Sequence, residues 1–289
     1  GRDITLRCAF SPIVTGGIKS HYVCVATDIT QDIEAQLLLR NSVELAQDSS
    51  RAKGEFLSHM SHEIRTPMNS IAGLTYLARE MVGEGHDDEL RDYLNQIDQA
   101  SQYLLSLLNN IMDMSKIESS KYEINTKPFD ISVVLDEVYS VFSATMSSKG
   151  VKFIINTDGL NAPNVLGDEL SLRKILNNLL SNANKFTKAG GSVTLIASQR
   201  LMSEKSSMLH LEVSDTGVGI SEDFIGHLFE PYTQEQSANG GRAAGSGLGM
   251  AICKSMIDLQ GGTISVKSKL GAGTTFFVDI PYLIGTASV

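Results

Sequence analysis

Hydrophobic and polar positions divide the chain into three textures. Over residues 4–29, Ile4, Leu6, Cys8 and Phe10 alternate, and Tyr22 to Ala26 do so more loosely, with Gly16-Gly17 between them; this predicts two strands and a turn. Two strands alone do not make a stable domain, so they pack on something else or belong to a domain that is cut. Residues 31–82 then carry helical composition. Leu57, Ser61, Ile64, Met68, Ile71, Thr75, Ala78 and Val82 recur at alternating spacings of four and three, a heptad-like stripe. Pro67 lies inside it and predicts a kink just after His62. Gly83-Glu84-Gly85 ends the stripe, and a second one runs Leu90, Leu94, Ile97, Ser101, Leu104, Leu108, Ile111, Ser115, with Asp87 or Asp88 placed to cap it. Two long helices joined by a short loop form an antiparallel hairpin. One hairpin buries both stripes poorly, whereas two do so as a four-helix bundle, which predicts a homodimer; the alternative is a hairpin packed within one larger monomer.

From about Tyr122 strands and helices alternate. Strands are expected at Tyr122–Ile124, Val151–Asn156, Val193–Ser198, Leu209–Asp215, Thr263–Lys267 and Thr274–Ile280, and helices at Ile131–Ser148, Asp168–Thr187 and Gly249–Gln260. This is the pattern of an α/β layered domain. The Gly-, Ser-, Ala- and Asn-rich stretch between Ser221 and Gly249 is long for a loop inside a compact domain, which marks it as functional, often a lid.

Composition narrows the classes. With 42% hydrophobic and 20% charged residues the chain reads as globular rather than disordered. A net charge of −9 argues against a nucleic-acid binder while leaving room for a local phosphate site. No apolar run approaches the roughly 20 residues that span a bilayer. The chain opens on Gly1-Arg2-Asp3, with no signal-peptide core and no Met, which reads as a fragment whose upstream part could carry an anchor. Cys8, Cys24 and Cys253 are scattered and lack metal-ligand spacing, as expected of a reducing compartment.

Four places carry candidate chemistry. His62 lies off the core stripe, so it should be exposed; Glu63 follows it and Thr66 sits one turn later on its face. A neutral imidazole is a good nucleophile, and a neighbouring carboxylate can take the proton from one ring nitrogen while the other attacks. His59 shares the face of His62, but no third ligand at helical spacing supports a metal there. Asn178, Asn182 and Lys185 fall at i, i+4 and i+7, opposite Leu172, Ile175, Leu176, Leu179 and Ala183. Asn is a poor helix former, so its repetition suggests either Mg²⁺ and phosphate ligation or a merely solvated face. Asp215-Thr216-Gly217-Val218-Gly219 follows a strand: a carboxylate there can accept from a base amino group, and the glycines admit close backbone approach. Gly245-Ser246-Gly247-Leu248-Gly249 opens a helix whose N–H groups suit phosphate, in neither a Rossmann nor a Walker A context.

In their joint order these motifs resemble the sensor histidine kinases of two-component signalling. His62-Glu63-Ile64-Arg65-Thr66-Pro67 resembles that family's phosphoacceptor box, Asn178 to Phe186 its N box, Asp215 to Gly219 its G1 box, Phe229-Glu230-Pro231-Tyr232 its F box and Gly245 to Gly249 its G2 box. Ser58 to Glu63 resembles the subclass common in hybrid kinases, and Val25-Ala26-Thr27-Asp28-Ile29-Thr30 resembles the end of a PAS sensor domain. The resemblance implies a multidomain α and α/β protein: 1–30 a PAS fragment, 31–57 a signalling helix, 58–119 a helical-hairpin dimerisation and phosphotransfer domain, 120–284 an α/β sandwich ATP-binding domain and 285–289 a tail. It implies autophosphorylation of His62 with ATP and Mg²⁺, Glu63 as base or orienting group, and transfer to an aspartate of a response-regulator receiver, with Thr66 serving the reverse dephosphorylation. Asp215 would meet the adenine amino group, Asn182 would ligate Mg²⁺ with support from Asn178, and Lys185 would contact phosphate. Gly217, Gly219 and Thr275 would shape the nucleotide pocket, Gly245, Gly247, Leu248 and Gly249 would line the phosphates, and Phe229 would anchor the lid. The implied setting is cytoplasmic, with a hinge near 117–127 between the domains. Two other classes stand beside this one: an ATPase without a histidine acceptor, and a non-catalytic dimeric scaffold. Both are opposed by the intact set of His62, Asn182 and Asp215.

Overall fold

The computed structural model describes residues 4–15, 18–82, 87–234 and 247–285. The expected turns at 16–17 and 83–85, most of the long loop, and Gly245 lie outside the described residues, as do the side chains of Leu57 and His59. The chain separates into two units, 1–61 and 62–289.

In the first unit, β1 (Leu6–Thr15) and β2 (Ile18–Asp28) pair antiparallel, as the alternation predicts, with Leu6 opposite Asp28 and Phe10 opposite Cys24. The start of α1 (Thr30–Met81) is fastened to this hairpin. The Asp28 carboxylate accepts from the Thr30 N–H at 2.9 Å and hydroxyl at 2.6 Å, and Thr30 Oγ1 accepts from Thr5 N at 2.8 Å. These bonds favour the ionised carboxyl and hold the Asp28 pKa below its ordinary value.

α1 continues unbroken through Pro67 into the second unit, so the proline does not end the helix. α2 (Asp87–Glu118) follows, with Asp87, Asp88 and Glu89 in its first turn, where the helix dipole favours acids. The buried or half-buried positions of α1 beyond His62 are Glu63, Ile64, Pro67, Ile71, Leu74, Ala78 and Met81. The expected stripe is therefore half inward. Ile64, Ile71 and Ala78 turn in, while Met68 (54% exposed) and Val82 (68% exposed) remain outside, and so do Leu94 and Leu108 on α2. Each helix presents one row to the hairpin and a second apolar row outward. α2 ends with Ser120 at φ 54°, and Lys121 N donates to Lys116 O at 2.8 Å, a Schellman-type close.

Residues 121–126 form no strand, contrary to the expectation for Tyr122–Ile124. They have no neighbouring strand and are pinned by side chains instead: Tyr122 Oη and Ser171 Oγ lie 3.2 Å apart, and Asn125 N donates to Asp168 Oδ2 at 3.1 Å. The pairing falls just downstream, where β3 (Lys127–Asp130) leads into α3 (Ile131–Ser148). Next come β4 (Lys152–Gly159), β5 (Asn164–Gly167), α4 (Glu169–Phe186), β6 (Ser192–Ser203), β7 (Ser206–Asp215), α5 (Glu222–Ile225), α6 (Gly249–Leu259), β8 (Thr263–Lys269) and β9 (Gly273–Ile284). The sheet order is β3-β5-β9-β7-β6-β4, with β8 on β9. Only β4 and β6 run parallel among these pairs. β6, β7 and β9 bury alternate residues, including Leu195, Leu211, Val213 and Val278, against Ile175, Leu176 and Leu179 of α4 and the inner residues of α3 and α6. One face is thus covered by helices. Asp168, 4% exposed, caps α4 by accepting from Ser171 N and Oγ, and so sets the register of the Asn-bearing face.

Candidate functional site

Three elements converge on a cavity of about 460 Å³ in the second unit. α4 contributes Asn178, Ser181, Asn182, Lys185 and Phe186, the polar face left over once its apolar face is buried in the core. The loop after β7 contributes Asp215, Val218 and Gly219, and the start of α6 contributes Gly247, Gly249 and Met250.

Backbone approach is enforced at two glycines. Gly219 has φ +72°, and a Cβ there would lie 2.1 Å from the Lys269 carbonyl oxygen. Gly249 faces α4 so closely that a Cβ would lie 2.7 Å from Asn178 Oδ1. Asp215 ends β7 opposite Thr274 on β9. Its Oδ1 accepts from Gly217 N at 2.7 Å. Burial raises the Asp215 pKa, and the backbone bonds from Gly217 and Thr274 partly oppose this. A desolvated carboxylate with spare acceptor capacity suits a ligand amino group. Asn182 donates to Met250 Sδ at 3.5 Å, a weak bond that leaves its carbonyl oxygen to other partners. Crowding around the Lys185 ammonium lowers its pKa, an effect partly offset by attraction to Glu63.

The residues present fit a nucleotide with a divalent cation. The cavity offers a half-buried carboxylate, amide oxygens that are hard donors, an ammonium and a backbone cradle that a side chain would fill. It also carries residues not among those read from the sequence: Thr274 and Phe276 from β9, Phe224 and Leu228, and Tyr103, Ser106, Leu107 and Asn110 from α2. Thr275 is not in the lining. It lies on the other face of β9, bonded to Ser214 Oγ at 2.9 Å, because successive strand residues point to opposite sides. Thr274 occupies the inward position, and its hydroxyl lies 2.8 Å from Ser268 Oγ, which in turn accepts from Ile220 N. Phe229 and Gly217 also stand outside the lining, Gly217 being buried behind Asp215; Leu248 is buried in the core ahead of α6 rather than open to the cavity.

His62 is exposed on α1, as its offset from the stripe predicts, and does not line the cavity. Glu63 is half-buried and accepts a hydrogen bond from the Tyr103 hydroxyl of α2. Burial and this carboxylate push the Tyr103 pKa up to about 12. Thr66 Oγ1 donates to the His62 carbonyl at 3.2 Å, so its hydroxyl is engaged by the helix backbone. Among the described residues no cluster of His, Cys, Asp and Glu forms a metal site, and no helix is long and apolar enough to cross a membrane.

Fold and site together define an ATP-binding α/β module preceded by a helical hairpin with an exposed histidine. Residues 167–284 match the histidine kinase-, DNA gyrase B- and HSP90-like ATPase family, and residues 52–120 match the His Kinase A (phospho-acceptor) domain. The chain belongs to the sensor histidine kinases. It is 36% identical over 282 residues to the autoinducer 2 sensor kinase/phosphatase LuxQ of Vibrio parahaemolyticus, covering 96% of this chain and 32% of that protein. It is 34% identical over 270 residues to the signal transduction histidine-protein kinase BarA of Escherichia coli, covering 90% of this chain and 28% of that protein. The chain thus spans about a third of the length of these relatives. Full-length ShkA, solved in complex with AMPPNP, superposes with a TM-score of 0.58 at 29% identity, covering 81% of this chain and 47% of that one.

Proposed function

We propose that this chain is the catalytic core of a protein-histidine kinase that phosphorylates His62 from Mg-ATP and passes the phosphoryl group to an aspartate of a receiver domain. The observation that carries this reading is one cavity joining Asp215 to the Asn178–Asn182–Lys185 face, in the same unit as an exposed histidine followed by a carboxylate. Asp215 accepts from the adenine amino group, Lys185 meets phosphate oxygens, and the Asn182 carbonyl, steadied by Asn178, holds the cation. The metal supplies neutralisation of charge on the phosphates. The His62 ring nitrogen remote from the backbone attacks the γ-phosphorus as the bond to the leaving oxygen of ADP breaks. The proton on the other ring nitrogen passes to Glu63. The protein's contribution is position and charge, since little covalent work remains to it.

His62 lies outside the cavity lining, so transfer requires the ATP-binding module to move relative to α1, with residues 117–127 as the hinge. Tyr122 and Asn125 are pinned to α4, which assigns most of the freedom to the turn around Ser120. A second copy of the chain covers the outward row of Met68, Val82, Leu94 and Leu108, giving a homodimeric four-helix bundle. The β1–β2 hairpin and the first half of α1 are read as the end of a PAS-type sensor and its signalling helix. Use of ATP and transfer to a receiver domain support a cytoplasmic setting for this segment.

Dephosphorylation of the receiver is assigned to Thr66, whose hydroxyl leaves the His62 carbonyl to orient a water. Thr66→Ala is expected to slow dephosphorylation of a phosphorylated receiver by roughly tenfold or more, as loss of one positioned polar group does. Release of labelled phosphate from the receiver measures it, and the parent rate in the variant would remove Thr66 from this role.

A further inference from the structure

Tyr103 lines two cavities of the second unit. It lines the nucleotide cavity, and it also lines an open groove of about 700 Å³ between α1 and α2. Glu63, Thr66 and Pro67 border that groove from α1, and Gln96 and Ala100 border it from α2. The Tyr103 hydroxyl crosses from α2 to donate to Glu63 Oε2. Adjacent helical residues point about 100° apart, so a carboxylate drawn into the groove is turned from an imidazole that faces solvent. Glu63 is therefore held in the groove by the Tyr103 phenol.

We infer that Tyr103 restrains Glu63 away from His62, making Tyr103 a positioning residue that tunes the proton transfer of autophosphorylation. The inference rests on the reading of Glu63 as the base for His62. Tyr103 thus sets the readiness of the base without touching the reacting atoms.

The test is Tyr103→Phe, which removes one hydroxyl and keeps the ring that fills the wall. Autophosphorylation is followed with labelled ATP over a range of concentrations, in the intact chain, for the parent, Tyr103→Phe, Glu63→Gln and the double variant. The hydroxyl's bond to a charged acceptor is of the strength that gives roughly a tenfold change when lost. The expected result is a kcat raised several-fold to tenfold in Tyr103→Phe, with the KM for ATP within about twofold of the parent. A merely structural role for the ring would not split kcat from KM in this way. In the Glu63→Gln background the Tyr103 substitution should have no further effect, since its target is gone. A low rate in Glu63→Gln beside an unchanged or lowered kcat in Tyr103→Phe overturns the restraint alone. An undiminished rate in Glu63→Gln overturns the restraint together with the reading of Glu63 as base. Label absent from both the parent and Tyr103→Phe also overturns the restraint, because a released base should restore labelling.

Discussion

Gly219→Ala should abolish nucleotide binding and loosen the loop that carries Asp215. The added Cβ would sit 2.1 Å from the Lys269 carbonyl oxygen and 2.7 Å from its carbonyl carbon, and both are backbone atoms that cannot swing aside. The residue also holds φ +72°, which costs an alanine about 1 kcal/mol before any clash. The nearest relief is to push the 215–220 loop away from the end of β8, which breaks the 2.7 Å bond from Gly271 N to Val218 O. Val218, Gly219 and Ile220 all line the cavity, so its shape is lost with that bond. The expected cost is about 2–4 kcal/mol of stability, the range of overpacking added to backbone strain. ATP binding should be undetectable by calorimetry while circular dichroism still reports the folded sheet and helices. Parent-like affinity in this variant would show that the loop is not the floor of the site.

Asp215→Asn should lower ATP affinity by roughly tenfold to a hundredfold, since a bond to a charged acceptor is worth about 1.5–3 kcal/mol. Asparagine keeps the size but presents an amide nitrogen where an acceptor is required, so the adenine amino group meets a donor in one of two rotamers. Acidity should have a related effect. Burial raises the Asp215 pKa above its unfolded value, so the ionised form costs the empty protein stability. That cost is present at neutral pH and is relieved as pH falls through the folded pKa. ATP needs the ionised form, so binding should weaken on acidification at a higher pH than an exposed Asp would dictate. Titration of ATP affinity against pH in the parent and in Asp215→Asn checks this: the parent should lose affinity across that window and the variant should not.

Much of this architecture was legible in the sequence because burial is written in periodicity. Alternation over 4–28 corresponds to β1 and β2, and the apolar face of 169–186 both located α4 and isolated Asn178, Asn182 and Lys185 on its other side. Ile131–Ser148 begins after an Asp that caps it, Asp130 Oδ1 accepting from Ser132 N, and is a helix over that full range. The strands β3 and β5 are four residues each, too short to show a period, and β3 contains a proline; Tyr122–Ile124 alternates more convincingly yet has no strand to pair with.

The heptad stripe identified two helices but not which row faces inward, because Ile64, Ile71 and Ala78 serve either choice. The single hairpin selects Pro67, Leu74 and Met81 over Met68, Thr75 and Val82. In the site, Thr275 was read where Thr274 stands, a one-residue offset that a strand turns into the opposite face. The register of β9 against Asp215 would have corrected it, and that register is a long-range pairing with no local signal. Tyr103, Ser106, Leu107 and Asn110 were read only as part of a helix, because nothing in their own segment tells of the cavity formed some 75 residues later.

The central claim is that His62 receives the phosphoryl group from ATP. Incubation of the chain with γ-labelled ATP and Mg²⁺, beside His62→Gln, tests it most directly. The account predicts acid-labile, alkali-stable label on the parent, as a phosphohistidine gives, and none on His62→Gln. Equal label on both proteins would place the acceptor elsewhere, and nucleotide binding with no label on the parent would favour an ATP-binding scaffold over a kinase.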